Sequence, residues 1–162
     1  MMNSEPSLQL PSANRFLRLL PASLIVLALI GFGDALYLTI SAFEGVIPVC
    51  TIGGCEQVLG SSYAKVGGMP VALFGALYYG AVFGLLVWFV ETKSRRACTF
   101  ALILVSLATL ATLYFIYLQA FVIEAWCLYC LLSAAVTFAL LAGLILLHSN
   151  KTVWNQTPLA GK

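Results

Sequence analysis

Four long apolar stretches constrain this chain more than any other feature. They run from Leu19 to Phe43, Val71 to Val90, Ala97 to Ile123 and Cys127 to Leu147, and the one charged residue inside them is Asp34. A helix needs about 20 mainly apolar residues, at ~1.5 Å rise each, to cross a bilayer. Each stretch meets that length. A chain of 162 residues could not bury all four in a water-soluble core, and 9% charged residues are too few to cover a water-facing surface, where about 25% is usual. Lipid is therefore the main solvent. The stretches lack the alternation of barrel strands, and backbone groups in lipid are satisfied within a helix. The expected fold is an all-α membrane protein, a bundle of four transmembrane helices in one domain.

The breaks between the spans set the topology. The first span is longer than the roughly 7–15 apolar residues of a cleavable signal, so it reads as a retained helix. Glu44 to Met69 forms a long loop, and Pro70 opens the second span, where a missing N–H costs little. Glu91 to Arg96 is a polar break, and Ile123 to Trp126 is short enough to demand a tight hairpin. With four spans, Arg15, Arg18, Lys93, Arg95, Arg96, Lys151 and Lys162 fall on one side, and Lys65 alone falls on the other. The positive-inside rule makes the first group cytoplasmic. Residues 1–18 and 148–162 then form cytoplasmic tails around a core of 19–147. The basic residues form no cluster suited to nucleic acid.

This orientation sorts the five cysteines. Cys50 and Cys55 lie in the outer loop, and Cys127 and Cys130 open the fourth helix on the same side. Disulfides form and persist on that oxidising side. Cys98 sits a bilayer thickness away, about 30 Å, beyond the ~7 Å Cα reach of a disulfide. A buried, unreactive thiol is its expected state. Cys127-Leu-Tyr-Cys130 stands where helix N–H groups and the dipole favour a thiolate, the nucleophilic form. A four-thiolate zinc site and purely structural disulfides are alternative readings. Redox exchange is favoured over both, because one pair lies in a glycine-rich loop (Gly53, Gly54, Gly60, Gly67, Gly68) and the other at a helix start. No acidic or histidine cluster accompanies the thiols, and His148 lies on the cytoplasmic side, so no metal is expected.

Several segments together resemble a known family. They are Asp34-Ala-Leu-Tyr-Leu38, Cys50-Thr-Ile-Gly-Gly-Cys55, Ser61-Ser-Tyr-Ala-Lys-Val66, Gly68-Met-Pro-Val71 and Cys127-Leu-Tyr-Cys130. In this order they look like the vitamin K epoxide reductase family, its bacterial and archaeal members above all, over about Leu19 to Leu147. The resemblance implies a bundle around a quinone, with a short half-helix after the loop cysteines. It implies a membrane thiol:quinone oxidoreductase that reoxidises a secreted thioredoxin-like thiol oxidase and passes the electrons to ubiquinone or menaquinone, supporting disulfide formation. The location implied is the cell inner membrane, with both cysteine pairs on the periplasmic side. Cys50 would exchange with the partner, Cys55 with Cys127, and Cys130 would lie beside the quinone. Ser62 matches a family serine whose hydroxyl would bond a quinone oxygen or a thiolate.

Two departures refine the expectation. Some bacterial members carry a fused thioredoxin-like domain; here about 15 residues follow Leu147, so a separate partner is expected. Vertebrate members have a tyrosine where this chain has Ala134, which disfavours vitamin K epoxide as the substrate. The quinone pocket should be apolar and aromatic, with Phe74, Tyr78, Phe115, Tyr117 and Tyr129 as candidates. Trp126 reads as an interfacial anchor. Asp34, an ionisable group inside a span, suits either a proton relay or a structural hydrogen bond.

Overall fold

The computed structural model describes residues 11–46, 48, 50 and 54–149. The outer parts of both expected tails, residues 1–10 and 150–162, and Gly53 in the loop lie outside the described residues. Helix α1 covers Pro11–Glu44, α3 Val71–Thr92, α4 Arg95–Tyr117 and α5 Leu128–Ser149. All four are long and apolar enough to cross a membrane, so the chain is an all-α, multi-pass membrane protein. Helix α3 runs past its apolar stretch at the end and α4 at the start, because Glu91, Thr92, Arg95 and Arg96 continue the helical backbone beyond the hydrocarbon; at its other end α4 stops at Tyr117, short of the expected Ile123.

Helix α1 packs on α3 and α5, and α4 packs on the same two, closing a four-helix ring. Small residues bring the backbones together, as helices in lipid require. Ala28 and Ala35 of α1, Ala76 of α3 and Ala101 of α4 are buried among Leu24, Val82, Leu86, Val105, Leu140 and Leu144. At Gly31 a Cβ would stand 2.5 Å from the Tyr79 ring. That ring is itself fixed, because the Tyr79 hydroxyl donates to the Ser133 carbonyl at 2.7 Å and lies 3.0 Å from the Thr137 hydroxyl. The outer faces are apolar too: Leu77, Leu110 and Phe121 are exposed, a surface that suits lipid.

The connections carry the detail that positions the site. Between α1 and α3 lie the short helix α2 (Cys55–Leu59), a 3₁₀ turn at Ser62–Ala64, and a small hairpin. The hairpin pairs β1 (Lys65–Val66) with β2 (Met69–Pro70). Gly67 and Gly68, at φ 59° and 83°, form its turn, with the two positive φ values that a tight two-residue connection demands. The half-helix is as expected; the hairpin is an addition to a segment read as plain loop. Only Lys93 and Ser94 separate α3 from α4. Lys93 adopts the left-handed cap (φ 51°) and its N–H donates to the Phe89 carbonyl at 2.8 Å. After α4 the helix widens into a π turn, Leu118–Val122, before the chain reverses through Glu124 at φ 54°.

Candidate functional site

The site begins with the approach of the outer segment to the α4–α5 turn. Gly54 has φ 117°, and a Cβ there would lie 2.8 Å from the Trp126 carbonyl oxygen. Glycine alone permits both that backbone and that contact. The next residue, Cys55, opens α2 and is disulfide-bonded to Cys50, with Cα atoms 6.0 Å apart. The close approach sets Cys55 Sγ 3.5 Å from Cys127 Sγ. Both residues are buried, at 1% and 0% exposure, beside Val58 and Ala125. Cys127 and Cys130 are free thiols. Two cysteine pairs thus meet through one member of each.

Cys127 is held from both sides. Its carbonyl accepts the Leu131 N–H at 3.0 Å, which makes it the cap of α5. Its own N–H donates to Gln119 Oε1 at 3.0 Å. Gln119 is 3% exposed and sits in the π turn, an irregularity that recurs at functional sites. The Gln119 carbonyl also accepts the Ala125 N–H at 3.1 Å. One side chain and its backbone therefore tie the end of α4 to the residue that opens α5.

The Cys127 thiol is pulled down to about 7, first by a hydrogen bond from the Cys130 thiol, then by the N–H groups of Cys130 and Tyr129. Burial and the nearby Asp34 carboxyl oppose this. The thiolate is the attacking form, so exchange at Cys127 should fall as pH drops below about 7. Removing Cys130 removes the largest cause of the lowering. The thiolate absorbance of Cys127 should therefore titrate at higher pH in Cys130→Ala than in the reduced wild type. An unchanged midpoint would show that Cys130 does not activate its neighbour.

A cavity of about 570 Å³ lies between the helices under the cysteines. Its size and its mostly apolar wall suit a small-molecule ligand. Cys130 lines it, with Asp34 and Leu38 of α1, Phe74 and Tyr78 of α3, Phe115 of α4, and Ala134 of α5. Of the expected aromatics, Phe74, Tyr78 and Phe115 are therefore in the wall. Tyr117 and Tyr129 are not among the lining residues. Tyr117 is 54% exposed and packs on Phe121, with ring centroids 5.2 Å apart, while Tyr129 packs on Tyr37 at 5.6 Å. Trp126 is exposed, as an anchor at the membrane boundary would be. Cys98 is buried near the start of α4, almost the whole helix away from the other thiols. Among the described residues, no three His, Cys, Asp or Glu side chains gather to hold a metal ion.

Residues 22–145 match the vitamin K epoxide reductase family. The chain belongs to that family. All four clustered cysteines and the cavity-lining helices fall within the matched stretch. The thiol-disulfide oxidoreductase LTO1 of Arabidopsis thaliana is 37% identical over 116 residues, which cover 66% of this chain. The aligned part is 31% of that plant protein, so the chain spans about a third of the relative it matches.

The structure moves attention from Ser62 to its neighbour. Ser62 is exposed at the start of the 3₁₀ turn and is not among the cavity-lining residues. Ser61 lines the cavity, and its hydroxyl donates to the Val58 carbonyl at 2.7 Å. Ser61 is extended (φ −70°, ψ 156°) where Ser62 begins the turn, so the adjacent side chains leave the backbone in different directions. Gln119 escaped the sequence reading. Its signal was there: a lone amide at the end of an apolar span, where an unpartnered polar group is costly.

Proposed function

We propose that this chain is a membrane thiol oxidoreductase that passes electrons from an external dithiol, through Cys50–Cys55 and then Cys127–Cys130, to a quinone bound in the cavity. The observation that carries this reading is the 3.5 Å contact between Cys55 and Cys127, with Cys130 on the cavity wall one helical turn further in. The likeness to a thiol-disulfide oxidoreductase supports thiol chemistry, and membership of the family supports a quinone acceptor.

The steps follow from thiolate attack on a disulfide. A partner thiolate attacks Cys50 and releases Cys55; the second partner thiolate then attacks the partner's sulfur in that mixed disulfide, closing the partner's own disulfide and releasing Cys50, so the loop pair is reduced. Cys55 attacks Cys127 of an oxidised helix pair and releases Cys130. Cys50 resolves the mixed disulfide, restoring Cys50–Cys55 and leaving Cys127 and Cys130 as thiols. A bonded loop pair above a free helix pair is the product of that last exchange. A quinone takes up two electrons and two protons, which is what a dithiol inside a membrane needs from its oxidant. The chain's residues fit such a ligand: the wall is apolar, and two of its buried polar atoms, Asp34 Oδ2 and Tyr78 Oη, have no hydrogen-bond partner. Phe74 and Phe115 would flank the ring, and Ala134, small where vertebrate members carry a tyrosine, leaves that side of the cavity open.

The partner that fits is a separate thioredoxin-like thiol oxidase, and the acceptor ubiquinone or menaquinone. The location proposed is the cell inner membrane, and the basic residues at the opposite ends of the helices support placing the cysteine pairs on its outer, periplasmic side. The test is anaerobic: full-length protein in detergent, a reduced thioredoxin-like protein and a short-chain soluble quinone. Loss of quinone absorbance that depends on both cysteine pairs is expected, and Cys98→Ala should behave as wild type. Absence of quinone reduction by wild type would overturn the proposal.

A further inference from the structure

The two electrons and the two protons of this reaction have different sources. When reduced Cys127 and Cys130 close to a disulfide, two electrons leave them. Cys127, with its thiol pulled down to about 7, is present in good part as the thiolate, and from that form Cys130 supplies one proton only. A hydroquinone carries two. A second donor placed at the acceptor oxygen would supply the other.

The cavity holds a group placed to do so. Asp34 lies inside the first span and lines the cavity beside Tyr78 and Cys130. It is the only carboxyl among the described residues that line it; Lys65, in the hairpin segment, is the only basic one. Asp34 Oδ2 is fully buried, with no hydrogen-bond partner. A buried polar atom left unmatched costs about 1–3 kcal/mol, and such groups call for a ligand or a role. The ionisable groups that feel its field or share its cavity wall are Tyr79 and Tyr78 of α3, Cys127 just before α5, and Tyr129 and Cys130 of α5. Tyr79 is engaged by Ser133 and Thr137, and Tyr129 packs on Tyr37. That leaves Asp34, with the unpartnered hydroxyl of Tyr78 elsewhere on the same cavity wall.

On the basis of the proposed function, we infer that Asp34 is a catalytic proton donor, its carboxylic acid giving one proton to the acceptor oxygen while Cys130 gives the other. The balance closes: the Cys127 thiolate and the Cys130 thiol become a disulfide, losing two electrons and one proton. Asp34 becomes a carboxylate, losing the second proton, and regains it from water before the next turnover. Tyr78 holds the oxygen by a hydrogen bond and exchanges no proton.

The experiment has three arms. In rapid mixing of the reduced chain with a short-chain quinone, Asp34→Asn should slow closure of the Cys127–Cys130 disulfide by about 100-fold, the usual size of a lost general acid; Asp34→Glu should recover most of the rate. Oxidation of the same dithiol by a small soluble disulfide, which needs no proton from the cavity wall, should not be slowed in Asp34→Asn or Asp34→Glu. In infrared difference spectra, adding quinone to the oxidised chain should perturb a carboxylic-acid carbonyl band that is missing in Asp34→Asn. Equal quinone rates in wild type and Asp34→Asn overturn the proton role and leave the proposed function standing. Slowing of both oxidants in Asp34→Asn also overturns it, as the mark of a structural carboxyl. No quinone reaction in wild type overturns the proposed function and this inference with it.

Discussion

A Cys50→Ala/Cys130→Ala double variant is expected to close a Cys55–Cys127 disulfide in nearly every molecule once exposed to mild oxidant. The two sulfurs already lie 3.5 Å apart in a buried cluster, and a disulfide needs about 2.0 Å. The remaining shift of about 1.5 Å is within reach of a residue at the first turn of a short helix. In the native chain this bond is transient, because Cys50 and Cys130 each stand ready to resolve it; removing both resolving thiols traps it. The converse variant, Cys55→Ala/Cys130→Ala, leaves Cys50 with Cys127 and should give much less. Mass analysis after alkylation measures both yields. Equal yields would mean that the loop pair has no preferred member, and the exchange order would then have to be redrawn.

Gly54→Val should be the most damaging single substitution outside the cysteines. Two costs add at this position. The backbone sits at φ 117°, where a β-branched residue is strained by roughly 1–3 kcal/mol. The new Cβ would stand 2.8 Å from the Trp126 carbonyl and 3.1 Å from its nitrogen, and such overpacking costs about 1–3 kcal/mol again. Together they should lower stability by roughly 2–6 kcal/mol, read as a drop in the thermal unfolding midpoint in detergent. The cheaper escape is for the Cys55 segment to lift away from the α4–α5 turn. A displacement of ~1 Å costs about 100-fold in a positioned reaction, so electron transfer between the pairs should slow even in molecules that remain folded. Cys98→Ala, far along α4, should change neither quantity. A Gly54→Val protein with wild-type stability and exchange would show that the close approach at Trp126 does not set the Cys55–Cys127 contact.

The spans were legible because the bilayer imposes a length and forbids charge, and four stretches obey both conditions. Their ends shifted by a few residues, since the hydrocarbon edge and the helix end are different boundaries. The cysteine pairing across the site was legible as a family likeness. Helix rotation was not. Core and lipid are equally apolar, so the pattern that marks the inner face of a soluble helix is missing. Tyr117 and Phe115 are two residues apart on α4, yet only Phe115 faces the cavity. The same holds for Tyr129 and Cys130, neighbours in sequence on different sides of α5. Ser61 and Ser62 could be separated only by the turn between them. Gln119 gained its meaning from the π turn, which no local pattern announced.

On the proposed route, electrons entering at the loop cysteines leave through Cys130 into the cavity. The anaerobic stoichiometry of dithiol oxidation against quinone reduction, in wild type and in Cys130→Ala, tests this route. One quinone reduced for each dithiol oxidised is expected in wild type, with a halt in Cys130→Ala after the loop disulfide has been consumed. Dithiol oxidation without quinone reduction in wild type, or wild-type turnover in Cys130→Ala, would contradict it.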